Sequence, residues 1–355
     1  MNDGIQTAVV GVTGYAGAEL ARILLRHPRL KGTPPVFAGR IDARDAERGG
    51  IPLAEIHPEL VDSKGSGDLR QQAFSWDLLT DLDVKVLFLA TPHEQSRAWA
   101  PEALKRGIRV IDLSGAWRLN DAANREIYAF EDEGSPEALK LQAEAVYGMP
   151  ELHRAEIATA RLVANPGCYA TNVILALKPL VSAGLVDVDA GIIADSKSGV
   201  SGAGKSPTSK THFMYAADNL SAYGVFAHRH NGELLEQIGI PGDAIIFTPH
   251  LLPIPRGILS TSYVRFHEPL KRADVLHAYK TFFNGSPMVR LHEHGLPQIL
   301  HVARTSYADI GFQLSADGRR AVIVSCLDNL LKGAASQAVQ NLNVMYGWEE
   351  QEGLE

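Results

Sequence analysis

Residues 162–180 read "LVANPGCYATNVILALKPL" and hold one of only two cysteines in 355 residues. Asn165, Pro166 and Gly167 make a sharp turn between a strand-like "LVA" and a helical run, which puts Cys168 in the first turn of that helix. There the helix dipole favours a thiolate, and thiolates attack acyl carbons. Cys326, inside "AVIVSCLD", has the setting of a small buried hydrophobe. A thiolate needs a proton partner. Among thirteen histidines, His228 and His230 stand out in "AHRHNGELLEQ", 60 and 62 residues beyond Cys168. They precede a helical pattern for which Asn231 is the candidate cap. In an extended segment they share a face, so that one can orient or relay to the other. As metal ligands they lack a completing cysteine or acidic cluster, so no metal is expected.

A second chemical signal is "GVTGYAG", with Gly11, Gly14 and Gly17 three apart between a strand and a helix. Such a turn lets pyrophosphate approach bare backbone and face a helix N-terminus. The next strand ends in "AGR". Arg40 there suits a 2′-phosphate, so NADP(H) is expected rather than NAD, although Asp42 follows two residues later. A third stretch, "GVSGAGKS" (199–206), fits the pattern of a nucleotide-triphosphate loop. Pro207 pushes Ser206 out of the α region, the strand "AGIIAD" is separated from Gly199 by Ser196, Lys197 and Ser198, and no helical periodicity follows. The stretch therefore reads as a Gly/Ser loop beside the thiol, with backbone N–H groups open to anions and Lys197 and Lys205 near the substrate phosphate.

The elements that must position these residues fall into two textures. Short apolar runs at 7–12, 35–40, 84–90 and 108–114 alternate with helical patterns, the first at 17–27 stopped by Pro28. That alternation implies an α/β domain with a doubly wound parallel sheet. From about residue 165, longer β-rich stretches and the amphipathic "PLKRADVLHAYKTFF" imply an α+β domain with a mainly antiparallel sheet. The final helical run returns to the first domain. The expected division is 1–165 plus 327–355 for cofactor binding and 166–326 for catalysis and oligomerisation. A net charge of −7 argues against nucleic-acid or anionic-membrane surfaces. Two cysteines imply a reducing compartment, hence the cytoplasm. No signal peptide is expected, nor an apolar run of ~20 residues.

The motifs "GVTGYAGAEL", "VYGMPEL", "NPGCYAT", "KSGVSGAGK", "HRH" and "DNLLKGAASQAVQNLN" occur in this order, and over nearly its whole length the chain resembles the N-acetyl-γ-glutamyl-phosphate reductases of arginine biosynthesis. The resemblance implies that Gly11, Thr13, Gly14, Tyr15, Ala16 and Gly17 line the NADP phosphates. It implies Cys168 as the acyl-accepting nucleophile, His228 and His230 as the proton relay, and Ser198, Gly199, Ser201 and Gly202 with Asn329 near the nicotinamide. Arg118, Asn165, Lys205 and Glu233 are the expected substrate contacts. The implied partners are an acyl phosphate, inorganic phosphate and further copies of the chain in a homodimer or homotetramer. Two positions depart from the pattern. Gly232 replaces a proline after "HRHN", which predicts a looser turn, and "LSGAWRL" lacks an acid usual before Arg118. Related readings are the lysine-branch reductase acting on N-acetyl-α-aminoadipyl phosphate and aspartate-semialdehyde dehydrogenase. A non-enzyme reading is an NADP-sensing regulator.

Overall fold

Runs such as "TAVV" and "VLFL" are apolar on both sides, so they form strands only where both faces are covered. The computed structural model describes residues 4–60 and 68–355, and its contacts divide into two units. The first comprises the described part of Met1–Arg118 with Gly134–Asn165 and Ala335–Glu355. Its strands are β1 (Thr7–Val10), β2 (Val36–Gly39), β3 (Ile51–Pro52), β4 (Arg70–Ala73), β5 (Val86–Leu89), β6 (Arg109–Asp112), β7 (Val146–Tyr147) and β8 (Leu162–Ala164), in the order β3-β4-β2-β1-β5-β6-β8-β7. Every pairing is parallel except the β3–β4 edge. Strand order reverses between β1 and β5, and in such sheets ligands bind beyond the strand C-termini at that crevice.

The helix Ser336–Met345 belongs to this unit and packs on Tyr15–Arg26, Pro150–Thr159 and β6. All ten of its residues are buried although four are Gln or Asn. Each of the four amides makes internal hydrogen bonds, although Asn341 Oδ1 has none. Gln337 and Asn341 donate to the Gly148 carbonyl at 2.9 and 2.8 Å, and Asn343 Oδ1 lies 3.0 Å from His27 Nε2.

The second unit comprises Leu119–Glu133 and Pro166–Ala334. Its strands are β9 (Ile192–Gly199), β10 (Ser221–Ala222), β11 (Ile245–Leu252), β12 (Ile258–Arg265), β13 (Val289–Leu291), β14 (Ala308–Leu314) and β15 (Arg320–Leu327). They form one mixed sheet, β10-β11-β9-β12-β15-β14-β13, with four of six pairings antiparallel. This division differs from the sequence expectation at two places. Residues 119–133 count with the second unit because the Glu236 carboxylate accepts the Asn120 and Asp121 N–H groups and the Asn124 amide. The chain returns to the first unit at Ala335, since β15 is a central strand of the second sheet.

The helix Cys168–Ser182 is the core of this unit, packed on β12 and β15. From Leu162 to Leu177 every residue but Cys168 is buried. Asn172, one turn beyond Cys168, donates to Ser260 Oγ at 2.9 Å and to the Ser325 carbonyl at 3.1 Å, and Ser260 Oγ meets Ser196 Oγ at 2.6 Å. This buried polar ladder fixes the rotation of the helix about its axis, a job that apolar contacts, being non-directional, do poorly. Asn172→Leu strands the serine and carbonyl partners, and should destabilise the protein by about 1–3 kcal/mol in urea unfolding. An unchanged midpoint would show that the ladder does not anchor the helix.

Candidate active site

In the first unit, β1 ends into Gly11, whose φ is +97°. A Cβ there would stand 2.2 Å from the Ala90 carbonyl oxygen, and one on Gly17 would stand 2.1 Å from the Gly11 carbonyl oxygen. The two glycines therefore let the turn, β5 and the helix Tyr15–Arg26 close on one another. That helix starts at Gly14 with no capping side chain, so its first N–H groups point outward. Thr13 and Tyr15 are exposed, Gly14 and Ala16 partly so, and Gly17 is buried. An uncapped helix N-terminus at the switch point is a fit for a dinucleotide pyrophosphate. Arg40 follows β2 at the same end of the sheet and is exposed. Asp42, by contrast, spends its carboxylate capping the helix Ala43–Glu47, accepting the Asp45 N–H at 2.8 Å. The acid that would hold an unphosphorylated ribose is thus tied into a cap, and the exposed cation is suited to a 2′-phosphate. Arg118 and Asn165 also lie in this unit, both buried, with the Arg118 guanidinium donating to the Asn165 and Leu113 carbonyls at 2.7 and 2.8 Å.

In the second unit, Cys168 is the first residue of its helix, after an N-cap Gly167 that supplies no side chain. It is partly exposed. A Cβ on Gly167 would lie 2.3 Å from His230 Nε2, so the His230 ring rests on the glycine that precedes the thiol. Glu233 is fully buried. Its Oε2 accepts the Gly167 N–H at 2.9 Å and its Oε1 lies 4.0 Å from His230 Nε2. One carboxylate thus links the turn of the nucleophile to the helix of the histidine. Glu233 has no exposed surface for substrate; the structure gives it a positioning contact.

His228 and His230 are not extended. They lie in a turn, with the Asn231 N–H on the His228 carbonyl at 2.9 Å. His230 is already α-helical at φ −75°, ψ −8°, so Asn231 is the first helical residue rather than the cap. The rings still meet, 4.6 Å apart at 80°. His228 Nδ1 accepts the His230 backbone N–H at 3.1 Å, which leaves its proton on Nε2. Tyr169, Tyr223 and Phe247 box it in. Burial, with a smaller contribution from Arg229, pushes His228 down to about 4, so it is neutral at pH 7. Burial pushes the Tyr169 phenol well above its usual range and Tyr223 up to about 12. His230 therefore lies closer to the thiol turn, and His228 shapes the loop that carries it. Gly232, in place of a proline, does not loosen this turn. A Cβ there would stand 3.0 Å from Asn124 Cβ and 3.1 Å from Leu119 Cδ1, so glycine lets segment 119–133 close on the helix. Cys326 is fully buried, and burial plus the Asp309 charge pushes its thiol up to about 12.

The "GVSGAGKS" stretch corrects two expectations. β9 runs through Ser196–Ser198 to Gly199 and feeds straight into the loop, because Ser196 and Ser198 face a buried polar interior. The loop is nevertheless no triphosphate cradle, since only the short 3-10 helix Val200–Ala203 follows. Nor are its leading N–H groups open to anions. Gly199, Val200 and Ser201 donate theirs to the Gly257, Ile254 and Pro255 carbonyls at 2.9, 2.9 and 3.2 Å. Ser201 Oγ accepts from Asn329 Nδ2 at 2.9 Å, and Asn329 Oδ1 accepts the Gly257 N–H at 2.7 Å. A Cβ on Gly202 would stand 3.1 Å from Ser198 Oγ, so Ser198, Ser201, Gly202 and Asn329 form one cluster. Lys205 is exposed, and Lys197 pairs with Asp195 at 2.8 Å.

Sequence reasoning missed Arg256, Asp328 and Gly333. Asp328, fully buried, holds Arg256 Nε at 3.0 Å and accepts the Arg304, Leu330 and Leu331 N–H groups. The following turn is a single π-helical turn, Leu331–Ala335, a form frequent at functional sites. Within it a Cβ on Gly333 would stand 2.7 Å from Cys168 Cβ. A glycine inside "NLLKGAASQ", otherwise rich in helix formers, was the available signal.

The model of the semialdehyde dehydrogenase NAD binding domain matches residues 6–160, and that of the semialdehyde dehydrogenase dimerisation domain matches 168–329. An N-acetyl-γ-glutamyl-phosphate reductase of Methanocaldococcus jannaschii is 39% identical over 98% of this chain and 97% of its own length. One of Pelotomaculum thermopropionicum is 41% identical over 99% and 97%. The chain belongs to the N-acetyl-γ-glutamyl-phosphate reductase family. Aspartate semialdehyde dehydrogenase II of Vibrio cholerae, solved with ASA, shares the family fold with a TM-score of 0.70, covering 97% of this chain and 98% of its own at 18% identity. No helix among the described residues is long and apolar enough to cross a membrane.

Two predictions follow from the geometry. Arg40→Ala should raise the KM for NADPH about tenfold or more while changing that for NADH much less, in steady-state kinetics; equal effects would remove Arg40 from the cofactor site. His228 binds a proton in the unfolded chain near pH 6.5 but in the fold only near 4. Stability should therefore be full above pH 6.5 and fall as pH drops toward 4, by about 1–3 kcal/mol. In His228→Asn this component of the acid limb should vanish, as read by urea unfolding at pH 7 and 4.5.

Proposed function

We propose that the protein reduces N-acetyl-γ-glutamyl phosphate to N-acetyl-L-glutamate 5-semialdehyde and inorganic phosphate, with the acyl group carried as a thioester on Cys168. The observation that carries this reading is the thiol turn itself: a partly exposed cysteine at a helix N-terminus, with His230 resting on the preceding glycine and Glu233 tying the two together. The Cys168 thiolate attacks the γ-carbonyl carbon; the S–C bond forms, the C–O bond to phosphorus breaks, and phosphate leaves. NADPH, when bound at the glycine turn and Arg40, supplies the hydride. His230 delivers the proton that neutralises the oxyanion of the resulting thiohemiacetal. As the C–S bond breaks, the hydroxyl proton returns to His230, the aldehyde is released and the thiolate is restored. His228, neutral and donating nothing to the reaction, sets the backbone of His230. Lys205 meets the substrate phosphate, while Arg118 and Asn165 brace the chain that enters the turn.

The enzyme works in the cytoplasm as a homo-oligomer, a dimer or a tetramer. Support for assembly comes from the match to a dimerisation domain and from the sheet of the second unit, whose outer face exposes Ile193, Ile246 and Tyr263.

The purified protein should reduce NADP⁺ in the presence of inorganic phosphate and N-acetylglutamate semialdehyde. Aspartate semialdehyde and N-acetyl-aminoadipate semialdehyde, run in parallel, should be poor substrates. Cys168→Ser should lose activity by at least about a thousandfold while still binding NADPH. With acyl phosphate and no NADPH, mass spectrometry should find an acyl adduct on Cys168. A fully active Cys168→Ser would refute the thioester route.

A further inference from the structure

At the β13 edge of the second sheet, three side chains converge that the reaction does not use. His292 follows β13, His301 sits on the short helix Ile299–Val302, and Asp309 lies in β14. One ligand atom from each falls within 4.8 Å of the others, the one such group among the described residues. We propose that His292, His301 and Asp309 form a binding site for a borderline divalent transition ion, with Zn²⁺ the best match.

The donor set of two imidazoles and one carboxylate is one that zinc uses where further positions stay open to water. Asp309 is about 1% exposed and its two oxygens are differently employed. Oδ1 receives Arg290 Nε at 2.6 Å, and Oδ2 lies 2.9 Å from His292 Nε2. Ligand atoms about 2.0–2.2 Å from a tetrahedral zinc lie roughly 3.3 Å apart, so an ion can take the place of the proton that His292 and Asp309 share. That proton goes to solvent. His301 is stacked on His292, centroids 5.8 Å apart and 11° from parallel, and is exposed at its helix end. Its Nδ1 makes only a 3.3 Å contact with the Gln298 N–H, which it gives up if Nε2 binds the ion. Arg290 opposes the cation while holding Asp309 in place. A bound ion would clip the helix Ile299–Val302 to β14, and Ile299 packs where a Cβ on Gly257 would be only 2.3 Å from its Cγ2. The clip therefore stiffens the support beneath the loop that crosses Gly199.

The test is calorimetric titration of Zn²⁺ into the full chain carrying Cys168→Ser, which removes the other accessible soft ligand. The Cys168→Ser chain should bind one more equivalent than the same chain with either His292→Ala or His301→Ala. Saturating Zn²⁺ should raise its Tm, and this rise should be lost in both variants. His301→Ala alters an exposed side chain and keeps the fold, so it decides the matter if His292→Ala is unstable. Equal stoichiometry with and without His301 would overturn the proposal.

Discussion

The second unit turns on one buried carboxylate. Glu233 has no exposed surface, yet it reaches the N–H of Gly167 and the ring of His230. A carboxylate taken out of water is costly unless its oxygens are satisfied. Here its first claim is an N–H at the start of the Cys168 helix, which has no other capping side chain. Two helix N-termini, those of Cys168–Ser182 and Asn231–Ile238, are thereby held in one geometry. Cys168 and His230 come from segments more than sixty residues apart, and this contact sets their spacing.

A second polar node supports the thiol from the other side. Asp328 gathers Arg256, the turn at Arg304 and the start of the π-helical turn, while Asn329 beside it binds Gly257 and Ser201. The loop after β9, the loop 254–257 and the glycine under Cys168 are thus fastened by two adjacent residues. Hydrogen bonds to a buried charge are stronger than neutral ones and directional, so the loops are pre-set rather than moulded by substrate. The aromatic box around His228 completes the arrangement by keeping that ring neutral, which suits a residue that positions rather than one that gives up a proton.

The glycine turn after β1, the thiol turn, the histidine pair and the two sheet types were legible because each rests on a local rule. Glycine spacing at a βα junction, a turn before a helix, and the change from short alternating runs to longer β-rich stretches all show within a dozen residues. Other features were not legible. Asn172, Ser196, Ser260 and Ser325 meet across as many as 153 residues of chain, and nothing local distinguishes them from surface polar residues. Asn231 has the residue type of a cap, yet the helix begins at Asn231 with His230 in the cap position. The loop at Gly199 reads locally as an open anion nest, because the loop 254–257 that occupies its N–H groups lies over fifty residues downstream.

The sequence by itself determined the candidates: a thiol in the first turn of a helix, a pair of histidines ahead of a second helix, and Arg40 at the end of the second strand. Only the tertiary structure decided the roles. It separated His230 from His228 by laying the former on Gly167 and boxing the latter among Tyr169, Tyr223 and Phe247, gave Glu233 the link between two helix starts, and brought Gly333 beneath the thiol. Residue type and spacing specify what a group can do, whereas its charge state and reach depend on desolvation and on partners that only the folded chain brings near.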